Sequence, residues 1–410
     1  MLRLLAGPLV FFVAAVAAAQ PKADAAPAPA AQNVRQLTTT PASAPVPALR
    51  LALRVRQADR LPGNAALDYY RAALLVPDWP RDPKESEKHH AKLDGWEAAP
   101  LDKLPVADVT AYLDTLAGGF EALDAASRRD GVDWRQGVAI RIERLDDLFR
   151  ETGKLREIAR LNGLRTRRDL AKDDFEAAAR NLRSGFRLSQ AVGEGSTTLQ
   201  LLIGISIGAV TIGQADQFVG RPGSPNLYWA LADLPRPLID PRPALDGESV
   251  FFEEHVRKTF LAPKESADLC RAVRDDQYKA FRLPYPRATA ELAKARTRMK
   301  ELEKERRDPV VSVFALSVPA TEKVYHAFAR LDRRLAALTA VEAVRLHAAE
   351  HKGTPPAALA DVTAVLVPLD PFTGRPFEYA ARADGFTLTA AEVEGSSPGN
   401  GVRYEVTFRR

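Results

Sequence analysis

The chain has 410 residues, 46% apolar and 27% charged, which is ordinary globular composition and excludes wholesale disorder. With 58 Lys and Arg against 53 Asp and Glu, the formal charge of +5 is small for this length and does not mark a nucleic-acid binder. Cys270 is the one cysteine, so no disulfide forms within the chain and stability rests on a packed core.

Arg3, the apolar run Leu4 to Val16 and Ala17-Ala18-Ala19 before Gln20 have the charged, apolar and small-residue regions of a secretory signal peptide over residues 1–19. The run is short for a bilayer span, so the expectation is cleavage after Ala19 and export to the periplasm or cell envelope, with retention as a membrane anchor the alternative. After cleavage no transmembrane span is expected. Residues 20–48 are Ala, Pro, Thr, Ser and Gln with few bulky apolar groups and read as a disordered linker.

A helical domain is expected over residues 49–284. Leu49, Leu51, Leu53 and Val55 alternate with small or polar residues and suggest a short strand. Pro62-Gly63-Asn64 then opens a helix through Ala73, with Leu67, Tyr70 and Leu74 on one face. His89 and His90 are adjacent, so on a helix they diverge and read as a solvated pair. Val109, Leu113, Leu116, Phe120 and Leu123 predict one helix from Pro105 to Ala126, and Val138 to Phe149 and Leu155 to Leu170 repeat less regularly.

Residues 158–188 read as helix, turn at Asp173-Asp174-Phe175, and helix carrying Ala178, Leu182, Gly185 and Phe186. This stretch resembles a tetratricopeptide unit, as does Ala66 to Leu75. Arg165, Thr166 and Asp169 replace the Leu, Gly and aromatic of that repeat and no 34-residue period is sustained, so stacked helical hairpins are expected in place of a repeat array. Residues 135–187 hold 14 Lys/Arg against 9 Asp/Glu at mixed spacing, read as a solvated face in preference to a surface for an anionic polymer or lipid.

Leu199 to Ile212 is an apolar run of 14 residues, too few to span a bilayer, and predicts a central buried helix whose Gly204 and Gly208 admit a close neighbour. Ser224-Pro225-Asn226 caps a helix with Leu227, Tyr228, Trp229 and Leu231; Pro235, Pro237, Pro241 and Pro243 impose an extended crossing before a helix from Gly247 to Phe260. Residues 285–329 are expected to hold a charged surface helix, dense in Lys, Arg and Glu over 287–307, and a connection.

Residues 330–410 predict a small α+β unit. Leu331, Leu335, Leu338, Val341, Val344 and Leu346 stack along one face of a helix that Gly353 and Pro355-Pro356 stop. In Asp370-Pro371-Phe372-Thr373-Gly374-Arg375-Pro376 the prolines fix φ, Gly374 allows a positive φ and the Asp370 side chain accepts from nearby amides, giving a rigid corner. Phe377–Ala381 and Phe386–Ala390 form a hairpin around residues 382–385, and Val402, Tyr404, Val406 and Phe408 alternate with polar residues in a third strand. The fold class is therefore mainly α, stacked helical hairpins with a C-terminal helix on a three-stranded antiparallel sheet.

Pro62-Gly63-Asn64-Ala65-Ala66, Asn226 to Leu231 with Leu234 to Asp240, and Pro368 to Gly374 resemble an uncharacterised, exported paralogous family of planctomycete bacteria. The likeness runs from Leu49 to Arg410 and implies export and a mainly helical body, with no activity. Residues 331–390 are also similar to the soluble half of a type II secretion pseudopilin, whose helix leads through an Asp-Pro-aromatic loop into a small sheet. Here that helix starts near residue 330 with Arg330, Asp332, Arg333 and Arg334, and residues 391–401 lack the paired aspartates of the pseudopilin calcium loop.

His347-Ala348-Ala349-Glu350-His351 matches H-x-x-E-H, in which two histidines one turn apart hold zinc and the glutamate acts as base. Too few residues follow for the third ligand of that peptidase class, and the helix ends at Gly353, where His is favoured by the dipole. Cys270 lies among helix residues, and Asp173-Asp174 and Asp275-Asp276 are adjacent carboxylates that diverge. The expected function is that of an exported, non-enzymatic helical scaffold or binding protein of the envelope, with a protein or peptide partner, no cofactor and no catalytic residues. A zinc-dependent envelope hydrolase using His347, Glu350 and His351 is the alternative.

Overall fold

The computed structural model describes residues 34–78, 82–134, 145–252, 263–306, 308–393 and 399–409. Residues 1–33, which include the expected leader, and parts of the helices expected over Val138–Phe149 and Gly247–Phe260 lie outside them. The chain is mainly helical with a small sheet formed near its C-terminal end, as composition and periodicity predict.

Strand β1 (Val34–Thr39) comes first, and corrects the expectation that residues 20–48 are wholly a linker. It pairs in parallel with the last strand, Val34 opposite Arg403 and Thr39 opposite Phe408. Leu37 and Thr39 are buried, and the Thr39 hydroxyl donates to the Val219 carbonyl at 2.5 Å. Residues 49–56 form turns in place of the expected strand, although Leu51, Leu53 and Val55 are buried.

Strand β2 (Leu61–Asn64) leads into α1 (Ala65–Leu75), followed by α2 (Pro83–Ala98), α3 (Val106–Asp114) and α4 (Ala117–Arg128), then β3 (Arg129–Gly131), which pairs with β2. The single helix expected over 105–126 is two, broken at Thr115-Leu116. Asn64 ties this region together: its Oδ1 accepts from the amides of Ala66 at 3.0 Å and Asp133 at 2.9 Å, and its Nδ2 donates to the Asp133 carbonyl at 2.8 Å. The buried face of α1 is Ala65, Ala66, Tyr69, Ala72 and Ala73, whereas Leu67 and Leu74 are 57% and 84% exposed. Of the apolar face read from the sequence, Leu67 and Leu74 therefore point outward, and Tyr70 is half-buried against Trp134.

Helices α5 (Leu145–Ala171) and α6 (Phe175–Gly193) form a hairpin whose turn is Lys172-Asp173-Asp174, with Asp174 capping α6 through the Ala177 amide at 2.9 Å. Helix α7 (Thr198–Gly220) packs on α6. It is longer than the 14 residues read from the sequence and reaches the length and hydropathy of a membrane span, yet 67% of its apolar window is buried inside the protein. The close approach expected at Gly204 is present: a Cβ there would lie 2.4 Å from Gly193 Cα and 2.6 Å from the Ser189 carbonyl. One face of the α6/α7 pair belongs to a core shared with α1–α5, and the other to a core shared with the C-terminal elements.

Helix α8 (Tyr228–Ala232) is held by Asn226, whose Oδ1 accepts from Tyr228 N at 2.8 Å while its Nδ2 donates to the Glu342 carbonyl at 2.9 Å. Helix α9 (Arg242–Phe251) starts earlier than expected because Pro243 sits in its first turn, where proline costs no helical hydrogen bond. Helices α10 (Lys264–Ala280) and α11 (Tyr285–Glu305) follow, and the narrow stripe Ala288, Leu292, Ala295, Met299 and Leu302 is buried.

Helix α12 (Pro309–Glu350) runs 42 residues, so the helix read as starting near residue 330 begins some twenty residues earlier. Asp308 caps it by accepting from Val310 N at 3.1 Å and Val311 N at 3.0 Å. Beyond it, β4 (Glu378–Arg382), β5 (Gly385–Ala390) and β6 (Val402–Phe408) are antiparallel neighbours, and every other side chain of β6 is buried. The sheet order is β1-β6-β5-β4, four strands where three were expected.

Candidate functional site

The histidines of the H-x-x-E-H motif stack face to face at the end of α12, ring centroids 3.9 Å apart and planes 9° apart. Imidazole lone pairs lie in the ring plane, so parallel rings do not converge on one ion in the way a tetrahedral zinc requires. His351 Nδ1 lies 2.8 Å from the His347 carbonyl and Glu350 is exposed. Burial and the neighbouring His351 lower the His347 pKa. Among the described residues no group of three or more His, Cys, Asp or Glu is placed to hold a metal.

The other sequence candidates are absorbed by the fold. Cys270 is fully buried, its thiol pushed up to about 12 by burial and by Asp308. Asp275 pairs with Arg274 at 3.0 Å, Asp276 with Lys279 at 3.0 Å and Arg298 at 2.9 Å, and Asp173 with Arg221 at 2.7 Å. His89 approaches the Tyr112 hydroxyl at 3.4 Å, and burial followed by the charges of His90 and Lys92 lowers its pKa. It is therefore engaged with α3, where a solvated pair was expected.

A different place gathers charge. The turns of 49–60, the end of α4 with β3, one edge of α6 and the loop at Leu234-Pro235 enclose a cleft of about 270 Å³. Four arginines, Arg54, Arg60, Arg129 and Arg187, face two acids there, Asp130 and Glu194. Its walls are fixed from outside the cavity: Arg129 donates through Nε to Asp68 at 2.8 Å and through Nη1 to the Pro62 carbonyl at 2.7 Å. Asp130 accepts from Gly63 N at 3.0 Å, and Gln190 donates to the Leu238 carbonyl at 3.2 Å. Arg54 and Arg60 are exposed at the rim.

Glu194 is the perturbed group in this cleft. Burial raises its pKa, and Arg187 acts against that rise. A titratable group shifted by burial and set beside a specific opposite charge in a cleft is a recurrent mark of a functional site. Ser127, also in the wall, donates its hydroxyl to the Asp124 carbonyl at 2.8 Å and is not poised against a base. What the arrangement does chemically is attract carboxylates: guanidinium forks match them geometrically and remain charged. Ordinary small-molecule pockets run from about 300 to 1,000 Å³, so this cleft suits a side chain or a short stretch of peptide.

The site was not legible in the sequence because its arginines come from three separate segments, each of which alone reads as a solvated helix or turn. The excess of basic residues over 135–187 was the available signal, and Arg187 is its contribution to the cleft. Comparison of the chain with family models, curated proteins and solved structures finds no match.

Proposed function

We propose that this chain is an exported, non-enzymatic scaffold of the cell envelope that binds an acidic segment of a protein or peptide partner in the arginine-lined cleft between 49–60, β3 and α6. The leader-like N-terminus supports export. The observation that carries the binding role is the excess of three guanidinium groups, Arg54, Arg60 and Arg187, over two carboxylates in one hollow, Arg129 being paired with Asp68. Arg54 and Arg60 at the rim steer an acidic ligand, and the half-buried Arg187 holds its carboxylate where water is partly excluded.

The test uses the full mature chain and pairs of short peptides, one rich in Asp and Glu, the other its Asn and Gln counterpart. Saturable binding of the acidic member, weakened by salt and lost in Arg54→Glu/Arg60→Glu, is expected. Equal binding of the amide counterpart, or binding unchanged by the double charge reversal, overturns the reading. Sequencing the N-terminus of exported protein should give Gln20 first; a retained leader would make the chain membrane-anchored.

A further inference from the structure

A second hollow, of about 210 Å³, lies between the 49–60 turns and the start of α6. Arg50, Arg56, Arg180 and Arg183 line it, with Asp59 and Glu176. Glu176 is committed to Arg50 at 2.7 Å. That leaves Arg56, Arg180 and Arg183 facing Asp59 alone, an excess of two positive charges in a space smaller than most organic ligands fill.

Arg183 is the informative member. Its Nε is buried and has no hydrogen-bond partner among the described residues. A buried donor left unmade is costly, and the cost is greater for a charged group. Burial lowers the Arg183 pKa, with Asp59 and Asp124 acting against that and Arg180 and Arg128 adding to it. Arg56 is anchored through Nη2 to the Leu49 carbonyl at 3.0 Å, and Arg180 stands one turn before Arg183 on the same face of α6. Three forks around one small hollow, with positive charge in excess there, need a compact acceptor with several oxygens and more than one negative charge.

We infer that this hollow is a binding site for a dianionic tetrahedral oxyanion, phosphate or sulfate, held by Arg183, Arg180 and Arg56. The oxyanion arrives as a free ion or as the terminal group of a larger molecule. A carboxylate, planar and singly charged, satisfies fewer of these donors. The site is separate from the acidic-peptide cleft and does not depend on that reading.

The experiment is calorimetric titration of the full mature chain, in low-salt buffer, with inorganic phosphate, sulfate, phosphoserine and, as the carboxylate control, acetate. Binding of phosphate or sulfate at one site per chain is expected, with a thermal midpoint higher in phosphate than in chloride of equal ionic strength. Arg183→Met should weaken it at least tenfold. Arg56→Gln/Arg180→Gln alters two exposed side chains, keeps the fold, and should weaken it comparably. Arg54→Glu/Arg60→Glu, in the other cleft, should leave it within twofold. Phosphoserine binding more tightly than inorganic phosphate assigns the site to an end group, and the reverse assigns it to the free ion. No saturable phosphate or sulfate binding, acetate binding as well as either, or affinity unmoved by both arginine variants overturns the assignment.

Discussion

Arg333 and Asp370 form a buried, two-pronged ion pair, Nε to Oδ1 at 2.9 Å and Nη2 to Oδ2 at 2.7 Å, with side chains 1% and 4% exposed. The remaining Arg333 donors reach the carbonyls of Asn400 and Ala391, each at 2.9 Å, and its guanidinium lies 4.4 Å over the Phe372 ring. Phe372 stacks in turn on Tyr285 at 3.8 Å. One side chain thus joins α12, the Asp-Pro-Phe corner, the turn before β6 and α11. Removing one partner of such a pair leaves an uncompensated buried charge, so Asp370→Ala is expected to cost about 3 to 5 kcal/mol. Urea unfolding at neutral pH checks this, and a loss below about 1 kcal/mol would show the pair to be incidental.

Two glycines of α7 separate packing from propensity. At Gly204 an added Cβ meets backbone at 2.4 to 2.6 Å, which cannot move aside, so Gly204→Ala should destabilise by about 1 to 3 kcal/mol or more. At Gly213 the nearest atom is the end of the Arg334 side chain at 4.0 Å, so Gly213→Ala should stabilise by up to about 1 kcal/mol through helix propensity. Melting temperatures of the two variants should move in opposite directions.

Asp332 makes stability depend on pH. Burial lifts its carboxyl from 3.8 to about 6, with the Leu238 amide and Arg236 acting in the other direction. The folded chain holds this proton more tightly than the unfolded chain, so the contribution is complete below pH 3.8 and is lost as pH rises through 6. The span corresponds to at most about 3 kcal/mol. Asp332→Asn keeps an acceptor for the Leu238 amide and carries no charge to bury. Its stability relative to wild type should rise from near zero at pH 4 to about 2 to 3 kcal/mol at pH 7. Denaturant titrations at each pH would reveal a flat difference if the carboxyl is in fact well solvated.

The Tyr69 hydroxyl is buried without a hydrogen-bond partner among the described residues, and burial raises its pKa well beyond the usual range. Its ring stacks on Trp134 with centroids 5.9 Å apart, a contact phenylalanine preserves. Tyr69→Phe should therefore stabilise by about 1 kcal/mol, since it deletes an unsatisfied polar group and keeps the packing. A destabilised variant would mean that the hydroxyl has a partner, such as a bound water.

The punctuation of the fold is legible in the sequence. Asn64 and Asp370 accept from backbone amides at the turns they were read to make, whereas at the 224–226 cap the accepting residue is Asn226, with Pro225 outside the helix that starts at Tyr228. The alternation of β6 and the small residues of α7 were equally readable, because period two and close helix approach leave direct marks on residue choice. Helix α1 was misread for a physical reason: its inner face packs closely enough that Gly119 of α4 would place a Cβ 3.5 Å from the Ala72 carbonyl. Alanine is what fits, and the larger Leu67 and Leu74 are left outside. Hydrophobicity alone does not distinguish a tight interface of small residues from a loose one of large residues.

By itself the sequence determined the helical class, the places where helices stop and turn, and the strand pattern at the end, all of which depend on neighbours within a few residues. Tertiary structure decided what depends on distant ones. Val34–Thr39 sits in a stretch with the composition of a linker and becomes a strand only because β6 offers it an edge and Asp216 of α7 takes Arg35 at 2.8 Å. The two arginine hollows likewise exist only because the 49–60 turns cross α6, bringing together guanidiniums more than a hundred residues apart in the chain. Local sequence specifies local hydrogen bonding, whereas the sign and reach of an electrostatic site are set by which surfaces the core brings face to face.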